Sequence, residues 1–408
     1  MSLCIICDYC NGLKYGIGTY LIELVNSIKN TLGSIYVITL FSDKENITYE
    51  VDDNIHYWYF PKPFQKLDAI DKKELKYKYY RNVLYLIKLH IKSERNILFH
   101  LNFIYDNDFP KMIKTFFNCK VLITVHCLKW SLLCYGNLKL FKKAVLTENK
   151  DNDRIYGFIK EAFVIEKTFL DSVDKIICLS LFTRNILYKY YSIPNEKLEL
   201  IYNGINDVKL EQSKLYLRQK YDIQNIPILL FVGRVDSKKG IAYVIRAFRK
   251  VLSRHRCHLI IVGEGNFSNY MKECEDIWTH VTWTGKLSKE KLHEIYSIAD
   301  IGILPSFAEE CSYVAIEMMM HALPIIASTS TGLKEMVSDG YNGLHIPIEE
   351  LLDEVNINIE LLAEKIDYML QHEDIRKLMG CNSRKQYLNK YTSKIMKEKM
   401  IELYKNML

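Results

Sequence analysis

One local grammar occurs twice in this chain, and that repetition constrains the fold more than any other feature. A short apolar run is followed by a glycine-bearing loop and then by apolar residues at helical spacing. The first copy opens at Leu3–Cys7 and passes through a loop holding Gly16-Ile17-Gly18. It then enters a helix over Tyr20–Lys29, with Leu21, Leu24, Val25 and Ile28 on one face. Ile35–Phe41, Asn96–His100, Val121–Val125 and Lys175–Leu179 read as further strands. The second copy opens at Ile228–Val232, with a loop over Gly233–Gly240 and a helix over Ile241–Leu252. Strands at His258–Val262, His280–Thr284, Ile301–Leu304 and Pro324–Ala327 follow. Apolar runs without alternation are buried on both faces, which belongs to parallel sheets covered by helices. The expected fold is therefore α/β, with two Rossmann-like parallel-sheet domains at 1–204 and 226–390 facing each other across a cleft. A polar linker at 205–225 joins them, and a terminal helix at 391–408 packs back on the first domain. In open sheets of this kind ligands bind at the carboxyl ends of the strands.

Composition narrows the function classes. The 408 residues carry a net charge of +6, too mild for a dedicated nucleic-acid binder. That excess is confined to positions 1–200, which hold 28 basic and 22 acidic residues, against 27 of each sign afterwards. Residues 71–94 are its centre, with seven Lys or Arg, three acids and four interleaved tyrosines. This segment reads as an amphipathic helix, and its alternative reading is a surface for anionic lipid or an anionic acceptor. The 11 cysteines are odd in number and mostly sit in apolar runs, as expected of a reducing, cytoplasmic setting. The opening residues lack a signal-peptide pattern, and no apolar run is long enough to span a bilayer. Cys4, Cys7 and Cys10 form a C-x2-C-x2-C run, but a fourth well-placed thiolate is missing. Asp106-Asn107-Asp108 and Asp151-Asn152-Asp153 match a short D-x-D metal pattern that arises often by chance.

The stretch after Ile301–Leu304 carries the strongest chemical signal. Ser312 is placed to cap a helix over Tyr313–His321, which leaves Glu309 in the preceding loop and Glu317 about one turn into the helix. Two carboxylates then face one site beside a helix N-terminus, suited respectively to sugar hydroxyls and to phosphate. Glu310 reads as a surface residue. Arg234 and Lys239 lie on the loop after Ile228–Val232, where they can neutralise a diphosphate. Gly16 and Gly18 let the backbone approach a ligand, although Leu21 breaks a full dinucleotide fingerprint. His126 ends the strand Val121–Val125.

These elements, in this order, resemble family 4 of the GT-B retaining glycosyltransferases, the bacterial glycosyl transferases group 1. Glu309-x7-Glu317 is similar to that family's hallmark. Asn203-Gly204-Ile205 resembles its N-G-[IV]-D element, and Gly233-Arg234 with Lys239-Gly240 its G-R…K-G loop. Gly263-Glu264-Gly265, Thr284-Gly285 and Asn342-Gly343-Leu344 fall where the family has its remaining motifs. The chain departs from it at Glu310-Cys311-Ser312, where two glycines are usual. The resemblance implies transfer of a sugar from a nucleotide-diphosphate donor, of UDP or GDP type, to a glycan, lipid-linked or peptide acceptor, with retention and without metal or bound cofactor. It implies catalytic roles for Glu309, Arg234, Lys239 and His126. Donor contacts are implied for Glu317, Gly233, Gly263, Ser312, Tyr313, Gly16 and Gly18. A nucleotide-sugar epimerase of the same fold and a silent nucleotide-sugar-binding protein remain as alternatives.

Overall fold

A computed structural model describes residues 2–9, 15–63, 69–91, 96–146, 154–208, 212–223, 225–351 and 354–408, with backbone alone over 69–72. The chain divides into two compact units. The first comprises Met1–Lys129, Gly157–Tyr202 and Ser393–Leu408; the second comprises Trp130–Tyr156 and Asn203–Thr392.

In the first unit an eight-stranded sheet is built from β1 (Ser2–Asp8), β2 (Ile35–Ser42), β3 (Thr48–Asp52), β4 (Ile55–Pro61), β5 (Ile97–Asn102), β6 (Lys120–Val125), β7 (Lys175–Cys178) and β8 (Leu198–Leu200). Their order is β3-β4-β2-β1-β5-β6-β7-β8, with β3 antiparallel to β4 and the other pairs parallel. The chain leaves β1 toward β2 and later returns on its other side as β5, so β1 and β5 flank the point where the winding reverses. Leu3 to Ile6 are fully buried, as the unbroken apolar run requires. The first helix runs Gly16–Ile28, one turn longer than the spacing of Leu21 onward suggests. Gly16 and Gly18 therefore lie in its first turn and not in a loop, because Gly18 and Tyr20 continue the buried face backward.

The helix Ser393–Met407 belongs to this unit and packs on Gly16–Ile28. A buried polar chain fastens it there. Tyr404 Oη meets His100 Nδ1 at 2.8 Å, His100 Nε2 meets Thr124 Oγ1 at 2.7 Å, and Tyr20 Oη meets the same hydroxyl at 2.9 Å. Burial, helped by nearby His126, pulls the His100 pKa down to about 3, so the ring is neutral and needs one donor and one acceptor. The flanking hydroxyls can supply both.

The second unit holds a six-stranded parallel sheet of β9 (Ile228–Val232), β10 (His258–Val262), β11 (Val281–Gly285), β12 (Ile301–Leu304), β13 (Ile325–Ser328) and β14 (Gly343–Ile346). The order β11-β10-β9-β12-β13-β14 is the doubly wound arrangement, with its reversal between β9 and β12. Helix Ile241–Leu252 buries Val244, Ile245, Phe248 and Val251 against this sheet, as its periodicity predicts. The segment read as a linker contains a helix, Lys214–Lys220. Ser213 caps it by accepting from Tyr216 N, and Leu217 is fully buried. Arg218 is also buried, donating to Asp300 Oδ2 at 2.6 Å and to the Ile298 carbonyl at 2.9 Å. The anchor is an ion pair with only one apolar residue beside it, which leaves no hydrophobic period to read. Residues 130–156, read with the first domain, cluster with the second unit: Asn137 Nδ2 donates to the Leu351 carbonyl at 2.7 Å.

Candidate active site

The second unit brings its sequence-flagged residues together at the carboxyl edge of the sheet, at the β9/β12 reversal. After β9 the chain forms a tight turn organised by Asp236. Its Oδ1 accepts from Lys239 N at 3.1 Å, and its Oδ2 pairs with Arg234 Nη2 at 3.1 Å. One carboxylate thus sets the backbone of one cation and the side chain of the other. Lys238 is turned elsewhere, donating to the Leu132 carbonyl at 2.9 Å. Lys239 instead forms an ion pair with Glu309 from the loop after β12.

Two glycines explain how these loops come so close. Gly240 has φ +71°, and a Cβ there would lie 2.4 Å from the Pro305 carbonyl oxygen. Gly263, at φ +148°, would place a Cβ 1.7 Å from the Gly233 carbonyl oxygen. Side chains at either position are excluded by backbone, so the loops after β9, β10 and β12 meet main chain to main chain. Phe307 N adds a hydrogen bond to the Lys238 carbonyl at 3.0 Å.

The Glu309–Ser312 loop needs no glycine. None of its residues has positive φ, so side chains cost nothing there. Glu309 N donates to Thr331 Oγ1 at 2.8 Å, and the Glu309 carbonyl accepts from Gly332 N at 2.7 Å. Asn203 reaches across to donate its Nδ2 to the Cys311 carbonyl at 2.7 Å. Glu310 is buried, 8% exposed, which corrects its reading as a surface residue; Cys311 beside it is buried as well. Ser312 caps the helix Tyr313–Met320 by accepting from Ala315 N at 3.4 Å, and Tyr313 is 9% exposed. Glu317 accepts from the hydroxyl of fully buried Tyr296 at 2.7 Å. Asp236, Tyr296 and Thr331 were not flagged by sequence: Tyr296 and Thr331 act on residues 21 and 22 positions away, and Asp236 reads as an ordinary turn aspartate.

In the first unit His126 directly follows β6 and is half-buried. Its Nε2 meets Asn102 Oδ1 at 3.0 Å, and its ring stands edge-on to Tyr20 with centroids 4.7 Å apart. Burial pulls its pKa down to about 3, so the ring is neutral at physiological pH. With Asn102 Oδ1 accepting, Nε2 carries the proton. So weak a base suits orienting contacts better than proton abstraction. Asn102, the last residue of β5, is a further polar group at this edge that sequence reading missed.

The candidate metal motifs separate. Cys4 and Cys7 are three apart on β1 and so point to opposite faces of the sheet. Cys10 lies outside the described residues, as does Asp151-Asn152-Asp153. Asp106 pairs with Lys76 at 2.9 Å and accepts from Asp108 N at 3.1 Å, forming the turn into helix Phe109–Phe117. Among the described residues no group of three or more His, Cys, Asp or Glu is arranged to hold a metal ion.

Comparison with known proteins matches this arrangement to a family. Residues 214–386 match Glycosyl transferases group 1, and residues 15–209 match Glycosyltransferase Family 4. The chain belongs to glycosyltransferase family 4. An uncharacterized glycosyltransferase of Methanocaldococcus jannaschii is 28% identical, over 57% of this chain and 60% of its own length. The lipopolysaccharide 1,2-N-acetylglucosaminetransferase of Salmonella typhimurium is also 28% identical, over 53% and 58%. The matches thus span somewhat over half the length of these family members. Among solved structures, sucrose-phosphate synthase from Thermosynechococcus elongatus superposes with a TM-score of 0.76 at 21% identity, covering 99% of this chain and 98% of that one. Anabaena HepE in complex with UDP-glucose gives 0.69 at 14% identity, covering 99% of each. These likenesses confirm the GT-B fold expected for the family.

Proposed function

We propose that this chain is a retaining glycosyltransferase that moves a sugar from a nucleotide-diphosphate donor to an acceptor hydroxyl without a metal ion. The observation that carries the reading is the cradle at the β9/β12 reversal, where Arg234, Lys239 and Glu309 converge on one sheet edge. In the transfer the bond between the anomeric carbon and the donor phosphate oxygen breaks, and a bond to the acceptor oxygen forms on the same face. The acceptor proton passes to the departing phosphate oxygen. Charge grows on the diphosphate, and Arg234 and Lys239 are the groups suited to stabilise it. The positive end of helix Tyr313–Met320 adds to that field. Glu309 can accept hydrogen bonds from donor-sugar hydroxyls while holding Lys239. Glu317, fixed by Tyr296, is suited to the ribose. His126, neutral, orients. A uridine donor is the first to test, because HepE, of the same fold, is solved with UDP-glucose.

The acceptor is proposed to be a glycan, a lipid-linked glycan or a peptide. Contact with an anionic membrane has one specific support. Helix Ala69–His90 exposes Lys73, Tyr77, Arg81, Tyr85 and Leu89 along one stripe, with Leu89 78% exposed. Against it, Lys76 and Lys78 are spent on Asp106 and Glu74, and Lys88 on the Phe116 carbonyl. Among the described residues no helix is long and apolar enough to cross a membrane.

The test is direct. UDP, GDP, ADP and their sugars are screened by thermal shift, and the binding donor is incubated with and without candidate acceptors. Acceptor-dependent release of the nucleoside diphosphate supports transfer. Conversion of donor alone into a second nucleotide sugar would replace this reading with the epimerase.

A further inference from the structure

The first unit has its own sheet-edge cluster, assembled from three separate stretches of the chain. Asp8, the last residue of β1, sits at the reversal between β1 and β5, the position where open sheets take ligands. It is half-buried, and its Oδ1 has no hydrogen-bond partner among the described residues. Tyr80 lies beside it on helix Ala69–His90. Its ring centroid lies 6.0 Å from that of Phe41, which directly follows Leu40, the residue paired with Asp8 across β1 and β2, and both Asp8 and Asp106 oppose the ionisation of its hydroxyl. The residue is 1% exposed and its oxygen also lacks a partner. Its ring is fixed by stacking on Phe109, with centroids 4.2 Å apart. Asn107 Oδ1, in the adjoining turn, is buried and unpartnered too. Buried polar atoms are normally satisfied, so three such atoms at one sheet edge call for a ligand that supplies the missing partners.

The chemistry of the cluster selects that ligand. The nearby cation, Lys76, is held by Asp106 at 2.9 Å, so its charge is already compensated. What remains is one carboxylate acceptor, one amide acceptor and one phenol. This set matches the hydroxyls of an uncharged sugar and offers no uncompensated cation to a phosphate. Burial, aided by Asp106 and opposed by Lys76, raises the Asp8 pKa to about 7, as expected where a carboxyl lacks hydrogen-bond donors that a polyol would bring.

We propose that Asp8, Tyr80 and Asn107 form a subsite for a neutral, hydroxyl-bearing sugar, the terminal residue of the acceptor. The proposal rests on the glycosyltransferase reading only in naming that sugar the acceptor; the binding itself requires no donor. Saturation-transfer NMR on the full chain tests it, with methyl glucoside, methyl galactoside, methyl mannoside, methyl N-acetylglucosaminide and glucose 6-phosphate as probes. At least one neutral glycoside is expected to bind, with glucose 6-phosphate no better than methyl glucoside. Asp8→Asn and Tyr80→Phe are each expected to weaken that binding at least tenfold. Both are expected to leave the UDP-induced thermal shift unchanged. The proposal is overturned if no neutral glycoside binds the wild type, if the phosphate ester binds more tightly, or if binding survives in both variants. Loss of the UDP shift in the wild type would count against the donor reading alone, so the two failures are distinguishable.

Discussion

The two sheet edges solve opposite electrostatic problems. At the edge of the second unit every key charge is answered by another: Lys239 by Glu309, Arg234 by Asp236. Loops there touch through glycine backbone, so the ion pairs are held by main chain that has little room to move. At the edge of the first unit charge is suppressed instead. His126 and His100 are buried neutral, and Asp8 is pushed toward its neutral form. An edge of paired ions suits a charged diphosphate, which can exchange partners with them. An edge of neutral polar groups suits a ligand that brings hydroxyls and no charge.

The largest effect that could break this contrast lies in the ionic edge. Arg234→Ala and Glu309→Gln are each expected to lower kcat by roughly 10²–10³-fold, about 3–4 kcal/mol of transition-state stabilisation, with the fold intact by circular dichroism. Near-normal turnover in both would mean that the paired ions are only structural.

The next effect is on stability against pH, where the neutral edge has two signatures of opposite sign. Histidines His100 and His126 have native pKa values near 3, below the unfolded value of about 6.5. Their contribution is present above pH 6.5 and is lost as pH falls toward 3. Asp8, raised to about 7, is the reverse: its contribution is present below about pH 4 and is lost as pH rises through 7. Asp8→Asn is therefore expected to be more stable than wild type at pH 8, by about 2–4 kcal/mol, in urea unfolding. No gain at pH 8 would show that Asp8 is ionised at little cost, and the contrast between edges would blur.

A smaller effect sharpens the role of the support beneath the ionic edge. Tyr296→Phe removes the hydrogen bond to Glu317 and is expected to raise donor KM about 3–10-fold, roughly 1 kcal/mol, with kcat nearly unchanged. A fall in kcat alone would place Glu317 nearer the reacting carbon than the ribose. Ser213→Ala is expected to have the least effect, costing about 0.5–1 kcal/mol of stability through the lost helix cap and leaving transfer untouched.

What sequence made legible follows the same division. Many of the strands were readable because buried parallel strands are continuous apolar runs, and β9, β10 and β12 fall within a residue of where those runs lie, whereas β3, β4, β8 and β14 were not read. The ionic edge was readable because its residues sit on short loops at fixed distances from those strands. Arg234, Lys239, Glu309 and Glu317 carry their signal in spacing. The neutral edge carries none: Asp8, Tyr80 and Asn107 are joined only by folding, and an aspartate ending a strand looks like any solvated turn. Glu310 misled because a doubled glutamate reads as surface, whereas the loop turns that side chain inward. Helix Lys214–Lys220 was missed because a buried arginine, not a row of leucines, holds it down.

The placement of Ser393–Met407 in the first unit has a consequence for synthesis. His100 and Thr124 are translated well before Tyr404, which closes their hydrogen-bonded chain and follows His100 by 304 residues. Until then a neutral imidazole and the apolar flank of helix Gly16–Ile28 await their cover. The nascent amino-terminal half is thus a waiting intermediate, exposed to chaperones and proteases until the second unit has been translated.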